Sequence, residues 1–307
     1  MEILKFNPIF KPTLWGSETW AVSAVKGSES VVLNGENKGM TLPEVTEQYG
    51  AEFLGKKNTE KFGNDFPLLI KFIDARQDLS IQVHPDDELS ARRHGKMGKN
   101  EMWYVVDADH GSQLIAGFRQ KIELSDYAQK VADGSIEDDL NKVDVSEGDC
   151  FYIPAGRVHG IGAGMVIAEI QQTSDVTYRI YDYMRRDRNG NLRELHVDLA
   201  LEAINFQDIT SNPKVVYTES RDKVVSLVEC PFFTTNELKL SKTFVRTYED
   251  IDSFKVYMCL SDQCTFLSPE GQGIFLHHGE SLVVPASMPS VTIIPDEQCK
   301  LLESYVG

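Results

Sequence analysis

The chain has 307 residues, 41% of them hydrophobic and 25% charged, a composition that suits a folded protein with a sizeable core and room for two domains of ordinary size. A formal net charge of −16 argues against nucleic acid or an anionic membrane as partner, since both reward a basic surface, and it obliges any anionic substrate to meet a local basic cluster. The amino terminus, MEILKFNPIFKPTLWG, lacks a signal-peptide pattern, and no apolar run approaches the roughly 20 residues that span a bilayer, so a cytoplasmic protein is expected.

In chain order, TLPEVTEQYGAEFLG (41 to 55) is the first segment with helical spacing. From about Leu68 the runs LLIKFIDA, LSIQVH, MWYVVDA and QLIAGF, punctuated by Gly, Asp and Pro, read as strands of an antiparallel structure. A second helical insert is expected over LSDYAQKVADGSIEDDLNKV (124 to 143), with Ser125 and Asp126 as capping residues. Further β structure is followed by the polar segment DYMRRDRNGNLREL (182 to 195), a short helix over 196 to 206 and the turn-rich ITSNPK. A domain boundary near 210 follows, giving domains 1–210 and 211–307. Beyond it KVVSLVE, FTTNELKL, SFKVYMCL, GIFLHHGESLVVPA and SVTIIP again read as short strands. The five cysteines, Cys150, Cys230, Cys259, Cys264 and Cys299, are odd in number and show no CxxC spacing, which predicts reduced, mostly buried thiols.

An internal repeat links the two parts. GDCFYIPAGRVH (148 to 159) and GESLVVPASMPS (279 to 290) share the count from Gly to Pro and the residues around it, so the halves read as duplicated barrels. His159 in the first copy corresponds to Ser290 in the second, and only the first copy can use a histidine there.

Polar residues inside the apolar runs carry the chemistry. Gln82 and His84 in IQVHP share one face of a strand, because side chains alternate. Glu101 opens the next clear strand, and a single return of the chain brings it beside them, while His159 ends the repeated segment. Two neutral imidazoles and a carboxylate suit Zn²⁺ or a related divalent ion with a coordination position left open, and an amide oxygen from Gln82 makes the set more diagnostic. Any one of these residues alone reads as an ordinary satisfied polar group. His94, His110 and His196 carry no spacing argument, and the adjacent His277 and His278 face opposite ways in a strand.

The spacing G-x5-P-x-G-x2-H at Gly148, Pro154, Gly156 and His159 resembles the second motif of the cupin superfamily. Joined with IQVHP, GKNEMWYV, SDVTYRIYDY, the N-terminal WGSETWAVSA and PLLIKFIDA, it closely resembles the type I phosphomannose isomerases, in particular their short bacterial branch, over most of the chain. That resemblance implies a mainly β fold of tandem cupin (jelly-roll) barrels with helical inserts, the second barrel degenerate. It implies a zinc-dependent isomerase that interconverts mannose 6-phosphate and fructose 6-phosphate by moving a proton between C1 and C2, with one Zn²⁺ per chain. Matched motif by motif, Gln82, His84, Glu101 and His159 take the metal positions, Arg179 and Asp175 match residues near the reacting sugar, and Lys99 matches the lysine before the metal glutamate. The general base stays open among these. In long-branch members a histidine precedes that lysine, whereas this chain has Gly98. Arg92, Arg93, Lys96 and Lys99 form the densest basic cluster of the first half, and Arg92, Lys96 and Arg157 are the expected phosphate holders. The alternatives are a metal cupin acting on another small sugar or sugar phosphate, and a sugar-phosphate binding protein without chemistry. Monomer and homodimer are equally compatible with the sequence.

Overall fold

In the computed structural model, which describes residues 1–186, 189–210 and 212–307, strand accounts for 43% of the chain and helix for 16%, so the fold is mainly β as expected. The chain forms two compact units: Phe10–Glu18 with Phe72–Val215, and Met1–Ile9 with Thr19–Lys71 and Val216–Gly307. The expected division at 210 treats the domains as consecutive pieces, but the units are interleaved. The physical reason is strand pairing: Leu4–Asn7 lies antiparallel to Ser281–Val284, with Leu4 opposite Val283, and this ties the amino terminus into the sheet of the last ninety residues.

The unit that contains Phe72–Val215 is built on two sheets. One runs in the order Cys150–Ile153, Glu101–Ala108, Met165–Gln172, Leu68–Ala75, Gly16–Val22, Ile9–Pro12; the other runs Leu140–Asp144, Gln113–Phe118, His159–Ile161, Ile81–Val83, Tyr178–Tyr181. Alternating apolar side chains from both, among them Trp103, Val105, Phe151 and Ile167 from the first and Leu114, Ala116 and Ile161 from the second, fill one core between the sheets. This is the jelly-roll packing implied by the resemblance.

The other unit centres on two long strands, Lys255–Leu267 and Ser290–Tyr305, paired to each other antiparallel with register shifts near Cys259 and Asp262. Such bulges bend a strand sharply, which lets each long strand serve both halves of a small barrel. Its core includes Tyr248, Tyr257, Phe266, Leu282 and Ile293. None of the five cysteines is in a disulfide, and four of them are buried.

The helical inserts differ in detail from the expectation. Helix Leu42–Tyr49 opens with a capping box, in which Thr41 Oγ1 accepts from Glu44 N–H and the Glu44 carboxylate accepts from Thr41 N–H at 2.7 Å. Two more short helices follow, Ala51–Leu54 and Lys56–Phe62, so the insert runs past 55. In the second insert, helix Leu124–Asp133 starts from Glu123, with Ser125 and Asp126 inside its first turn rather than capping it. The insert ends in a strand, Leu140–Asp144, because the alternating LNKVD pairs with Gln113–Phe118. The helix expected over 196 to 206 spans Val197–Ala203. A helix that sequence patterning missed, Asp87–His94, has only Leu89 and Ala91 as apolar residues and so no apolar stripe to announce it; Asp86 caps it by accepting from Leu89 N–H at 2.8 Å. Two residues of the polar segment 182 to 195, Asp187 and Arg188, and Ser211 of ITSNPK lie outside the described residues. Among the described residues no helix is long and apolar enough to cross a membrane.

Candidate metal centre

Backbone register assembles the site. His159 stands opposite Gln82, and Gln82 stands opposite Arg179 on its other side, so one sheet carries three of the expected residues in a row. Glu101 belongs to the facing sheet, opposite Ile153 on one neighbour and Gln171 on the other. His84 follows the Ile81–Val83 strand, and its carbonyl accepts from Gly156 N–H at 2.9 Å, which ties the two motifs together.

Asn100 fixes where Glu101 begins. Its backbone N–H and side-chain amide both donate to Gln172 Oε1, at 2.9 and 2.8 Å, and its own oxygen accepts from Ala155 N–H at 2.9 Å. Two residues earlier, Gly98 leaves no room for a side chain: a Cβ there would lie 2.5 Å from the Asp86 carbonyl carbon and from Asp87 N. The glycine is therefore a packing requirement of this chain, and the departure from the long-branch histidine has a local cause.

Among the described residues, His84, Glu101 and His159 form a buried group whose candidate ligand atoms all lie within 4.8 Å of one another. The two Nε2 atoms are 3.1 Å apart, and they lie 3.6 and 3.4 Å from the Glu101 carboxylate oxygens. Each imidazole gives its Nδ1–H to a backbone carbonyl, His84 to Val176 at 3.0 Å and His159 to Arg157 at 2.8 Å. That choice of tautomer turns both Nε2 lone pairs inward, the arrangement that metal-binding histidines need. Burial lowers the pKa of His159 to about 3, so its ring stays neutral at physiological pH. Gln82 Nε2 is 3.3 Å from His159 Nε2, and a half-turn of the amide exchanges that nitrogen for the oxygen that a cation prefers.

Inward lone pairs beside a buried carboxylate repel one another unless a positive charge sits among them. Lys99 supplies one, with Nζ 2.8 Å from Glu101 Oε2 and 3.0 Å from His84 Nε2. The donor set fits a divalent ion of the zinc type: two neutral imidazole nitrogens, one carboxylate and one amide.

The other expected residues are distributed differently. Arg179 is half-buried beside the centre; its Nη1 donates to Glu194 O at 2.8 Å, and its Nε has no hydrogen-bond partner among the described residues. Asp175 does not join the cluster, because it is largely exposed and pairs with Lys96 at 2.5 Å. Arg92 and Arg93 share Glu202 on the surface. Arg157 is committed to Asp208 through two hydrogen bonds of 2.7 and 2.9 Å and to Tyr152 O. The expected phosphate holders Arg92, Lys96 and Arg157 are thus each neutralised by a carboxylate.

Two sets of residues were missed. Glu169 is 3% exposed, accepts from Trp103 Nε1 at 2.9 Å and acts electrostatically on His159; its signal was an acid in the middle of the apolar run MVIAEIQQ. Arg185 and Arg193, from the segment read only as polar, converge on the buried Asp182. With Arg179 they gather three guanidiniums around one carboxylate, and burial together with Arg193 and Arg185 lowers the pKa of Arg179.

Residues 7–119 match the family model described as phosphomannose isomerase type I, catalytic domain. Mannose-6-phosphate isomerase ManA of Bacillus subtilis is 38% identical over 260 residues, covering 78% of this chain and 80% of that protein. The chain belongs to the type I phosphomannose isomerase family. A second B. subtilis relative, putative mannose-6-phosphate isomerase YvyI, is 32% identical over 98% of both chains. The crystal structure of a B. subtilis mannose 6-phosphate isomerase superposes with a TM-score of 0.88 at 29% identity over 99% of each chain, so the phosphomannose isomerase fold extends through both units.

Proposed function

We propose that this chain interconverts mannose 6-phosphate and fructose 6-phosphate with zinc as its resident ion, held by Gln82, His84, Glu101 and His159, and that it works in the cytoplasm. The observation that carries this reading is the inward set of two Nε2 lone pairs and the Glu101 carboxylate, with Lys99 and Arg179 beside it. The names of the similar proteins supply the substrate pair.

Isomerisation removes the proton on C2 of the open-chain aldose, shifts the double bond through an enediol and delivers a proton to C1, while the hydroxyl proton on O2 leaves as O1 gains one. Atoms and charge balance without any redox partner. When bound, the ion polarises the sugar carbonyl and stabilises negative charge on its oxygen. Lys99, the titratable group nearest the ligands that is not itself one of them, holds the proton exchanged between the two oxygens. Arg179 presents its unpartnered Nε–H toward that charge, and a guanidinium keeps its charge at any pH the enzyme meets. The surplus of Arg179, Arg185 and Arg193 over Asp182 offers the substrate phosphate the basic cluster that the acidic chain otherwise lacks. Asp175, engaged with Lys96 at the surface, has no part in this reading.

Incubating mannose 6-phosphate with the protein in D₂O and following it by NMR tests the reaction class. Appearance of fructose 6-phosphate is the expected result; an unchanged spectrum with metal-loaded protein ends the proposal. Arg185→Ala tests the phosphate seat: KM for mannose 6-phosphate should rise about tenfold or more, as loss of a charge-assisted contact implies, with the smaller effect on kcat. An unchanged KM would remove Arg185 from substrate binding.

A further inference from the structure

The two barrels can be aligned by hydrogen-bond register. In the first, Ile153 of GDCFYIP pairs with Glu101, and in the second, Val284 of GESLVVP pairs with Lys255. Glu169 stands opposite Trp103 and accepts from it; Glu303 stands opposite Tyr257 and accepts from it at 2.5 Å. His159 faces Gln82, and Ser290 faces Thr247. Lys255 therefore occupies the position of the carboxylate in the candidate metal centre, and Glu303 that of Glu169.

The charges around this second position are reversed. Glu303 has a full set of donors: Tyr257 OH and Arg246 Nε on one oxygen, Arg246 Nη2 and Asn236 Nδ2 on the other, all within 2.9 Å. Lys255 is 0% exposed, and its Nζ has no hydrogen-bond partner among the described residues; the Tyr248 ring lies 4.1 Å away. Asp252, the other acid acting on it, already accepts from the backbone N–H groups of Lys56 and Lys57. Buried Lys255 and half-buried Arg246 are thus two cations set against one saturated carboxylate. A buried ammonium with three unused N–H donors is costly, and a ring face satisfies only part of that demand. Burial lowers the pKa of Lys255 only to about 8, so at neutral pH the group is still an ammonium in need of an acceptor.

We propose that the second barrel holds a small inorganic anion of halide size on Lys255 Nζ, a charge-inverted counterpart of the metal position in the first barrel. Its size follows from the complete burial of Lys255, whose Nζ lies over the Tyr248 ring and within electrostatic reach of Glu303. Every residue that would hold the anion belongs to the second barrel, so the site is independent of the isomerase reading.

Bromide tests it, because bromide scatters anomalously and replaces chloride. Crystals of the full chain grown in sodium bromide should show an anomalous peak within hydrogen-bonding reach of Lys255 Nζ, absent from Lys255→Met. In solution, exchanging gluconate for bromide at fixed ionic strength should raise the Tm of the wild type by a few degrees and leave Lys255→Met unmoved. If Lys255→Met does not fold, the wild-type crystal alone decides. A water at Nζ without anomalous signal, or bromide bound only at surface lysines, overturns the proposal.

Discussion

At the residue scale the centre is defined by what each side chain gives away. His84 and His159 spend their Nδ1–H on backbone carbonyls, and this is what turns Nε2 inward. Arg179, opposite Gln82 in the strand register, keeps an Nε–H without a hydrogen-bond partner among the described residues. Arg179→Ala should therefore retain its metal, since the arginine is no ligand, and lose about 10²- to 10³-fold in kcat with a smaller change in KM. Arg179→Lys should recover little, because a point charge on a flexible stem does not reproduce a planar fork. Metal content, Tm and both kinetic constants on the alanine variant check this. A folded, metal-loaded variant within a few-fold of wild-type activity would exclude Arg179 from the mechanism. An alternative role for this arginine, pairing with Asp182 to fix a strand end, finds no support, because Asp182 is taken by Arg185 and Arg193.

At the element scale, strands and the residues that follow them carry the candidate ligands, and short polar loops tie those strands together. Asn100 is the clearest such device, stitching the start of the Glu101–Ala108 strand to Gln172 and to Ala155 beside the His159 motif. Asn100→Ala should weaken metal binding about 10- to 100-fold, the usual effect of removing a partner that orients a ligand, while leaving the four ligands in place. Competition with a chromogenic chelator measures this; an unchanged affinity would show that Glu101 is oriented by the sheet alone. The strand elements were legible in the sequence because alternation survives wherever one face is buried, and Gln82, His84, Glu101 and His159 stood out as polar residues in apolar runs. Helix Asp87–His94 was not legible, since its residues form no stripe and only the Asp86 cap marks it. For Arg157 and the basic residues of 92 to 96 the sequence shows a cation but not the carboxylate that neutralises it, because Asp208, Glu202 and Asp175 come from distant segments or facing loops.

At the scale of the whole molecule, the repeat seen in the sequence became two units in which Glu101 and Lys255 hold equivalent register positions. The interleaving of the units escaped sequence analysis because the partner of an edge strand such as Leu4–Asn7 is chosen by the tertiary fold, not by local pattern. Among the described residues only one barrel carries a candidate ligand set, so the purified chain should bind about one zinc. His159→Ala should lose metal and activity together, whereas Ser290→Ala, its counterpart in the other barrel, should change neither; a second tightly bound equivalent in elemental analysis would contradict this.

The most direct test of the account is a coupled assay that follows fructose 6-phosphate formed from mannose 6-phosphate, run on the same preparation before chelation, after chelation and after zinc is restored. The account predicts turnover in the first and third and loss of at least about 10²-fold in the second, the scale expected when charge stabilisation is removed from an active site. Undiminished turnover by protein shown to be metal-free, or no turnover by protein shown to hold zinc, would contradict it.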